Sequence, residues 1–325
     1  PPLLAAMQER EIAEGDMLSA LGKFDTSFRV RLDSDTFGFY DNQRLDFGVE
    51  QPLAFQGLNL YTGWRRGEGS FADYDGKLQT RSLGEFRGGL KMPLFRDRQI
   101  DTRRADLAKA NLNRDIARLS IDQQKIVILQ AATRRYWDWL AAGRRKQIAE
   151  ALLALATRRN DILVEGVRLG QLPAIEVTEN ERAILQRRSQ VVETERGLQQ
   201  ASIDLSLFYR DATGQPVLAQ AQQLPPAFPE VQAMTEDRLT EDIESALRRR
   251  PEIQRLIAQR EQTSVDARLA RNQMLPAVDV LLGFTQEGGT GAVKRGPGEL
   301  KAGVIFDLPF QRRTAQGKQR AAEAK

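Results

Sequence analysis

Cysteine and histidine are both absent from this 325-residue sequence. Their absence excludes disulfide bonds, metal sites built on these side chains, cysteine nucleophiles and histidine general bases. Long hydrophobic runs are missing as well, because no apolar run approaches the roughly 18 to 20 residues that a membrane-spanning helix needs. If the chain meets a membrane, it does so through strands. Carboxylate pairs at helical spacing are common surface features, so we expect no catalytic residue, no metal ion and no cofactor.

A strong excess of one charge is also lacking. The 48 lysine and arginine residues stand against 44 aspartate and glutamate residues, which gives a formal net charge of +4. A nucleic-acid binder would concentrate basic residues on one face, together with stacking aromatic residues. Here acidic residues are interspersed throughout, and the basic run at residues 248–250 lies close to Glu241 and Glu244. We therefore expect no nucleic-acid partner.

Proline is absent from residues 96 to 172, where the pattern is helical. A helix of about 70 residues would be on the order of 100 Å long, which no compact core needs. Apolar residues recur at every seventh position in two successive segments: Ile148, Leu155, Ile162 and Leu169, then Val177, Ile184, Val191, Leu198 and Leu205. Such a repeat keeps one seam against a partner helix and imposes a left-handed supercoil. We predict a long antiparallel coiled-coil hairpin over residues 96–212.

The two heptad segments are separated by Gly170-Gln171-Leu172-Pro173. Glycine suits the left-handed residue that follows a helix, and proline suits the start of the next helix, where its missing N–H costs nothing. Residues 169–174 are therefore the predicted tip of the hairpin. The same residues would also serve as a simple helix end and helix start without any binding role.

Two-residue periodicity marks the strands. Apolar residues alternate with polar or charged ones at residues 24–33, 86–94 and 278–284. Residues 41–84 are rich in glycine, asparagine, aspartate and tyrosine, which predicts turns with at least one additional hairpin; the insertion adds either strands or surface loops. The basic residues on the strand faces, which would line a pore or form the wet side of a soluble sheet, are Arg87, Lys91 and Lys301.

The order of elements occurs twice along the chain. A shift of 250 residues aligns Pro1 with Pro251 and Val30 with Val280. The predicted segments are a helix at 1–22, a β-region at 23–95 with an insertion at 41–84, the helical hairpin at 96–212, a connector at 213–236 that includes Pro229, a second-repeat helix at 237–274, its β-hairpin at 275–310 with Pro309 at the strand end, and the start of a second long helix at 311–325. The sequence starts without methionine and stops within this pattern, so we expect a processed or truncated chain.

Strands with one apolar and one polar face need surroundings for both. In a transmembrane barrel the apolar face meets lipid and the polar face lines water, and strands of about ten residues are long enough to cross a membrane. Four clear strands are too few to close a barrel, so several chains would have to share one. The fold class that follows is mainly α with β, internally duplicated, with long helical hairpins and β-hairpins.

The segment from Val167 to Val177, followed by Asn180-Glu181, resembles the glycine-containing tip of the TolC-type outer-membrane factor family. The duplicated order of elements is equally characteristic, and the resemblance covers essentially the whole chain. It implies a homotrimer in which three chains build a 12-strand β-barrel in the outer membrane and an α-barrel tunnel across the periplasm. The resemblance also implies the function of a passive exit duct of an efflux pump or a type I secretion system. In this family the helical tip is the gate, and it docks a periplasmic adaptor protein and, through it, an inner-membrane transporter.

The resemblance also assigns roles to particular residues. It implies an adaptor-docking turn made of Leu169, Gly170, Gln171, Leu172 and Pro173. Glu176 stands where the family often has an acidic residue near the entrance constriction, although the usual basic partner belongs to a second hairpin that is not in this sequence. The chain departs from the family pattern at 41–84, and extra strands there would change the strand count of the barrel.

A soluble periplasmic adaptor, or another coiled-coil interaction protein, is the alternative. An adaptor also carries a long helical hairpin and β-modules, but its small β-domains should bury their hydrophobic faces against each other. They should not occur as two widely separated copies of one two-strand unit, so the duplication favours the duct. The aromatic cluster Tyr136, Trp137 and Trp139 is predicted to pack between helices rather than to contact a substrate.

Overall fold

The computed structural model describes residues 2–72, 78–228, 233–291, 298–308 and 310–324. They belong to two units, one formed by Pro1–Asp122 with Ala246–Lys325 and the other by Gln123–Ser245. Pro229 and Pro309 lie outside the described residues. Across the part of the chain that is described, no helix has the length and hydropathy needed to cross a membrane.

The first unit contains one antiparallel sheet of six strands in sequence order. The strands are β1 Ser27–Asp35, β2 Asn42–Pro52, β3 Asn59–Gly69, β4 Glu85–Pro93, β5 Ala277–Glu287 and β6 Glu299–Asp307. Each is nine or eleven residues long.

Residues 41–84 supply two of these strands, β2 and β3. The insertion therefore adds strands rather than loops alone, and the count of four strands per chain is wrong. The pattern that accounts for β2 lies at residues 44–50, where Leu45, Phe47 and Val49 alternate with charged residues and a glycine. Alternation of this kind produces a strand with one apolar face.

Most apolar residues of the six strands lie on one face of the sheet. Val30 of β1 lies opposite Phe47 of β2, Phe47 lies opposite Trp64 of β3, and Trp64 lies opposite Phe86 of β4. The rings of Phe47 and Trp64 are 5.7 Å apart. Because successive side chains of a strand point to opposite faces, most of the charged residues lie on the other face. The exceptions are two apolar residues on that other face, Leu281 and Ile305, and two charged residues on the apolar face at the end of β3, Arg66 and Glu68.

The helices of the first unit bury mostly alanine, together with Ile121 and Val265. These helices are α1 Pro2–Gly22, the first turns of α2 Thr102–Arg168, α5 Pro251–Gln273 and α6 Arg313–Glu323. The buried alanines of α1 recur every seven residues at Ala6, Ala13 and Ala20, whereas Ile12 and Leu18 are exposed. Small side chains let neighbouring backbones approach closely, so dispersion contacts include the main chain.

The long helix begins at Thr102 and not at residue 96. Residues 97–99 form a turn instead, because the Arg104 guanidinium donates hydrogen bonds to the carbonyl oxygens of Asp97, Arg98 and Gln99. Asp97 has a positive φ of 67°, which interrupts helical geometry. The Asp101 carboxylate accepts a hydrogen bond from the Arg104 backbone N–H at 2.9 Å and so caps α2.

The single helix predicted at 237–274 is wrong, because the structure has two helices there. They are α4 Glu236–Arg249 and α5, which begins at Pro251. Arg250 between them is extended, with φ −63° and ψ 121°. Proline disfavours helical geometry in the residue before it and lacks the N–H that would continue the ladder, yet it is well suited to the first helical position.

In the second unit the remainder of α2 pairs with α3, Ile175–Ser206. An ion pair of 3.4 Å joins Lys146 of α2 to Glu195 of α3. The predicted seam residues of α3 lie on its inner side: Ile184, Leu198 and Leu205 are buried, and Val177 and Val191 are half-buried.

The predicted seam of α2 is wrong. Ile148, Leu155 and Ile162 are 60%, 64% and 71% exposed, and Leu169 is exposed too. The buried column of α2 includes Ala142, Ala149 and Leu163 instead. Both columns repeat every seven residues, so the period cannot decide which of them faces α3. At positions 142 and 149 small alanine side chains occupy the buried side, while the larger Ile148, Leu155 and Ile162 point outward.

The buried core of the second unit consists of Trp139, Leu140, Ala142, Leu198 and Leu205, with Leu224 of the connector packed against it. Gly143 makes room for Leu224, since a Cβ atom at Gly143 would lie 2.4 Å from a Leu224 methyl carbon. The predicted packing role is confirmed for Trp139, while Tyr136 and Trp137 remain partly exposed beside it.

Candidate functional site

The tip of the helical hairpin is closed by backbone hydrogen bonds around Gly170. The Gly170 N–H donates to the Val167 carbonyl, and the Gln171 N–H donates to the Gly166 carbonyl, both at 2.9 Å. Gly170 has φ +70°. These two bonds around a left-handed residue are the Schellman motif. The prediction of a left-handed C-cap at Gly170 is therefore confirmed.

A second glycine shapes the same turn. Gly166 lies under the Leu172 side chain, and a Cβ atom at Gly166 would come within 2.8 Å of a Leu172 methyl carbon. The next helix starts two residues after Pro173, at Ile175. The Pro173 carbonyl accepts a hydrogen bond from the Glu176 N–H at 3.1 Å. The conformation of the whole turn is thus fixed by main-chain contacts and two glycines.

The tip presents apolar side chains with charged neighbours. Leu169, Leu172 and Ile175 are exposed, and so are Gln171 and Pro173. On the last turn of α2, the Arg168 Nε atom lies 2.7 Å from a Glu165 carboxylate oxygen. This hydrogen bond lowers the pKa of Glu165 and raises that of Arg168. The result is a small apolar surface beside a fixed ion pair.

Glu176 lies half-buried in the first turn of α3. A carboxylate there is favoured by the partial positive charge of the helix N-terminus. The helix dipole alone accounts for this position, and a gating role for Glu176 stays a prediction.

A buried polar pair lies in the hairpin one turn beyond Glu176. The Asn180 side-chain amide is buried, and it donates to the Asn160 side-chain oxygen at 3.0 Å and to the Ala156 carbonyl at 3.1 Å. A buried asparagine in a helix seam fixes register, because any slip leaves its amide unpaired. The sequence did not predict this role for Asn180. Its place four residues before Ile184, in the seam of α3, is the sequence feature that indicates it.

The pore candidates Arg87, Lys91 and Lys301 all lie on the polar face of the sheet. Arg87 Nη2 lies 2.5 Å from an Asp46 oxygen, Lys91 Nζ lies 2.8 Å from Asp279, and Lys301 Nζ lies 3.6 Å from Glu299. All three cations therefore have carboxylate partners. Sequence reasoning missed Asp46 and Asp279, although the alternation of β2 and β5 puts both on this face.

Two long side chains lie flat over glycines on the polar face. Arg87 of β4 reaches Asp46 of β2 across Gly63 of β3, where a Cβ atom would approach the Arg87 Nε to 3.3 Å. Tyr61 of β3 covers Gly89 of β4 and Gly283 of β5, and its hydroxyl would lie 2.5 and 2.7 Å from a Cβ at these positions. Because glycine has no side chain, the Arg87 and Tyr61 side chains lie close to the sheet backbone.

The apolar face of the sheet has no cover in the described chain. Phe28 and Phe86 are 67% and 61% exposed, and Leu300 and Phe306 are 82% and 64% exposed. Soluble monomers rarely expose a contiguous apolar surface of this kind, and where one occurs it marks a protein or membrane contact. The sequence-predicted site residues thus form two groups: the tip residues in the second unit, and three cations on the polar face in the first.

No protein-family model and no curated protein matches the sequence. Solved structures do match it. The outer-membrane channel OprN aligns with 99% of this chain and 64% of its own, at 15% identity and a TM-score of 0.55. The outer membrane protein VceC from Vibrio cholerae aligns with 100% of this chain and 69% of its own, at 14% identity and a TM-score of 0.52.

CusC, whose structures concern transmembrane channel formation, aligns with 99% of this chain and 66% of its own, at 14% identity and a TM-score of 0.51. The chain therefore spans about two thirds of the length of the channels that it matches. At these identities the likeness concerns the fold. The chain has the fold of TolC-type outer-membrane channels.

Proposed function

We propose that this protein is a passive exit duct of the outer membrane, which serves an efflux pump or a type I secretion system. Three chains form the duct, and the helical part lies in the periplasm. The observation that carries the proposal is the sheet of the first unit, with an uncovered apolar face and an ion-paired polar face. A fold shared with outer-membrane channels supports it.

The dimensions and polarity of the strands fit a bilayer. Strands of nine or eleven residues match the roughly 9 to 11 residues that a tilted membrane strand needs. Lipid would cover the apolar face, and water in the lumen would cover the other. In water alone, every fully exposed large apolar side chain would forgo burial worth about 1.5–3 kcal/mol.

Aromatic residues mark both ends of the strands. Phe37 and Phe39 are almost fully exposed in the loop between β1 and β2. Phe55, Phe95 and Phe310 are exposed next to the opposite strand ends, in the β2–β3 turn and after β4 and β6. Membrane barrels carry aromatic girdles at both interfaces, so this placement supports a membrane-spanning sheet.

Several chains are needed to complete the structure. Among the described residues the sheet has two unpaired edges, β1 and β6, and these strands run in opposite directions. An edge that meets lipid must be paired, and closure with further copies pairs both edges. The outward column of α2, with Ile148, Leu155 and Ile162, offers an apolar stripe for a neighbouring helix in the same assembly.

The tip is the proposed docking site for a periplasmic adaptor. Its exposed leucines, Leu169 and Leu172, flank a turn whose backbone is fixed. A pre-ordered apolar turn loses little entropy on binding. Glu176 is the proposed gate residue near it. Energy would come from an inner-membrane transporter behind the adaptor.

The alternative, a soluble periplasmic adaptor, is disfavoured by the same sheet. An adaptor's β-domains would bury their apolar faces within the chain, whereas among the described residues this face exposes large apolar side chains on five of the six strands and leaves those of β2 half-buried. In the proposed duct, membrane lipid covers that face.

The proposal is tested on the full-length protein extracted from outer membranes in mild detergent. Size exclusion with light scattering measures the protein mass in the detergent complex. We expect a mass near three chains. A monomer that stays soluble without detergent would overturn the proposal, because its apolar face would then be buried within the protein.

A further inference from the structure

We propose that the β2–β3 hairpin sets the bore of the duct by adding two strands per chain to its wall. The inference deepens the proposed function and rests on it. A barrel with six strands per chain has roughly 1.5 times the diameter of one with four, since diameter grows about linearly with strand number. The wider lumen would pass larger hydrated polar cargo than a barrel of four strands per chain does.

The hairpin is an insertion in a simpler sheet. Its two ends meet, because the Ser70 N–H donates to the Asp41 carbonyl at 2.7 Å. Removal of both strands would therefore leave the Asp41 carbonyl next to the Ser70 N–H, so the two ends could be joined directly. Two strands also preserve direction: β4 runs antiparallel to β1 with or without the pair between them.

The hairpin is nevertheless built into the wall. β2 pairs with β1 from Asn42 to Glu50, and β3 pairs with β4 from Asn59 to Arg65. Both strands lie in the middle of the sheet, so neither is a flap on its surface. Phe47 and Trp64 continue the apolar face from Val30 to Phe86 without interruption.

Charges on the polar face link the hairpin to β4. The Asp46 carboxylate of β2 forms ion pairs with Arg44, at 3.3 Å, and with Arg87 of β4, at 2.5 Å. Arg65 of β3 pairs with Glu85 of β4. If the hairpin lay outside the barrel, Glu85, almost fully buried, would lose its cation, at a cost typical of an unpaired buried charge.

The polar face leaves the added bore open. Gly63 lies beneath the guanidinium of Arg87, and Gly89 and Gly283 lie beneath the ring of Tyr61. Side chains that lie flat along the wall do not fill the lumen, in contrast to the packed interior of a small barrel. The paired charges compensate each other, so the cargo that this wall suits is hydrated and polar rather than of one charge.

The test compares the full-length protein with a deletion of residues 42–69. In planar bilayers, the largest polyethylene glycol that enters from the outer side reports the bore of the barrel. We expect its radius to fall by about a third in the deletion variant, in proportion to four strands rather than six. Arg31→Gln, which removes a charge from the polar face of β1 but no strand, should leave the limit unchanged.

Electron cryomicroscopy of the unaltered protein provides a second measurement if the deletion variant does not fold. Six strands per chain around the lumen support the inference. A membrane trimer with four strands per chain and residues 42–69 outside the wall would overturn the inference while leaving the duct intact. A protein without any membrane barrel would overturn the proposed function and the inference with it. An unchanged polymer limit in a folded deletion variant would also contradict the proposal.

Discussion

At the scale of single residues, backbone geometry decides more than side-chain chemistry. Gly170 has open space around its Cα, yet its φ of +70° belongs to a region that other residues enter only at a cost. Asp97 has a positive φ as well, and it lies in the turn that joins β4 to α2. Each position supports an expectation about a specific substitution.

Gly170→Val should lower transport without abolishing trimer formation. A β-branched residue in a left-handed conformation costs on the order of 1–2 kcal/mol, which would open the Schellman turn and displace the docking leucines. Gly170→Asn is the matched control, because asparagine tolerates this conformation. Transport and trimer mass are measured for both variants. Normal transport in the valine variant would count against a docking role for the tip.

Asp97→Asn should stabilise the protein at neutral pH. Burial raises the pKa of Asp97; Arg96 opposes this shift, and Asp101 and Asp279 add to it. A raised folded-state pKa means that the ionised form is disfavoured, so the carboxyl contributes stability below its unfolded pKa of about 3.9 and loses it as pH rises through the folded value. Asparagine does not ionise and also tolerates the positive φ.

The measurement for Asp97→Asn is thermal unfolding of both proteins at several pH values. We expect a higher midpoint for the variant at pH 7 and a difference that disappears at acid pH. Asp101→Ala should show the opposite sign at pH 7, since it removes the cap of α2, at a cost of about 1 kcal/mol. A gain for Asp97→Asn that is the same at every pH would rule out ionisation as its cause.

At the scale of elements, the long helix α2 carries two kinds of seven-residue column. The small column, with Ala142 and Ala149, packs within the chain, while the large column, with Leu155 and Ile162, faces outward. Two different apolar columns on one helix suit an assembly in which each hairpin forms within its own chain and then packs against the hairpins of other copies of the chain. They also separate the stability of a hairpin from the stability of the assembly.

Leu155→Lys should shift the mass in detergent from three chains toward one, with amide protection of α2 and α3 retained. The residue is 64% exposed in the single chain, so the hairpin loses little, and surface substitutions usually change stability by no more than about 0.5 kcal/mol. Ala149→Leu, at a buried position, should instead raise hydrogen exchange in the hairpin, because overpacking costs roughly 1–3 kcal/mol. An intact trimer in the lysine variant would show that this column is not an interface.

Sequence patterns were sufficient for some elements and not for others. The heptad of α3, the tip at Gly170 and the alternation of β1, β4 and β5 follow from local rules, and the structure has them. The facing column of α2 did not follow, since periodicity is equal for Ala149 and Leu155 and only packing decides between them. Nor did the break before Pro251, where a predicted continuous helix ignored the geometry that proline imposes.

The candidate site shows the same division. That Arg87, Lys91 and Lys301 share one face could be predicted from period two alone. Their partners could not, because the pair of Arg87 with Asp46 depends on a register across three strands and on Gly63 between them. Cross-strand pairs of this kind are set by long-range pairing, which local composition does not encode.

At the scale of the whole molecule, the proposed function depends on the two different faces of one sheet. The apolar face runs across all six strands and exposes large side chains on five of them, and the polar face holds ion pairs above glycine residues. As a single chain in water, the described sheet leaves its apolar face uncovered, whereas a membrane and a water-filled lumen suit the two faces. The proposed duct and its bore both depend on this division.

The most direct measurement places single cysteines on the two faces of β6, which is possible because this sequence has no native cysteine. In the protein reconstituted in lipid vesicles, a fluorophore at Val304→Cys should be quenched by brominated lipid and shielded from a water-soluble quencher. A fluorophore at Lys301→Cys should show the reverse. Equal exposure of both positions to the water-soluble quencher would contradict the account, because the apolar face would then not meet lipid.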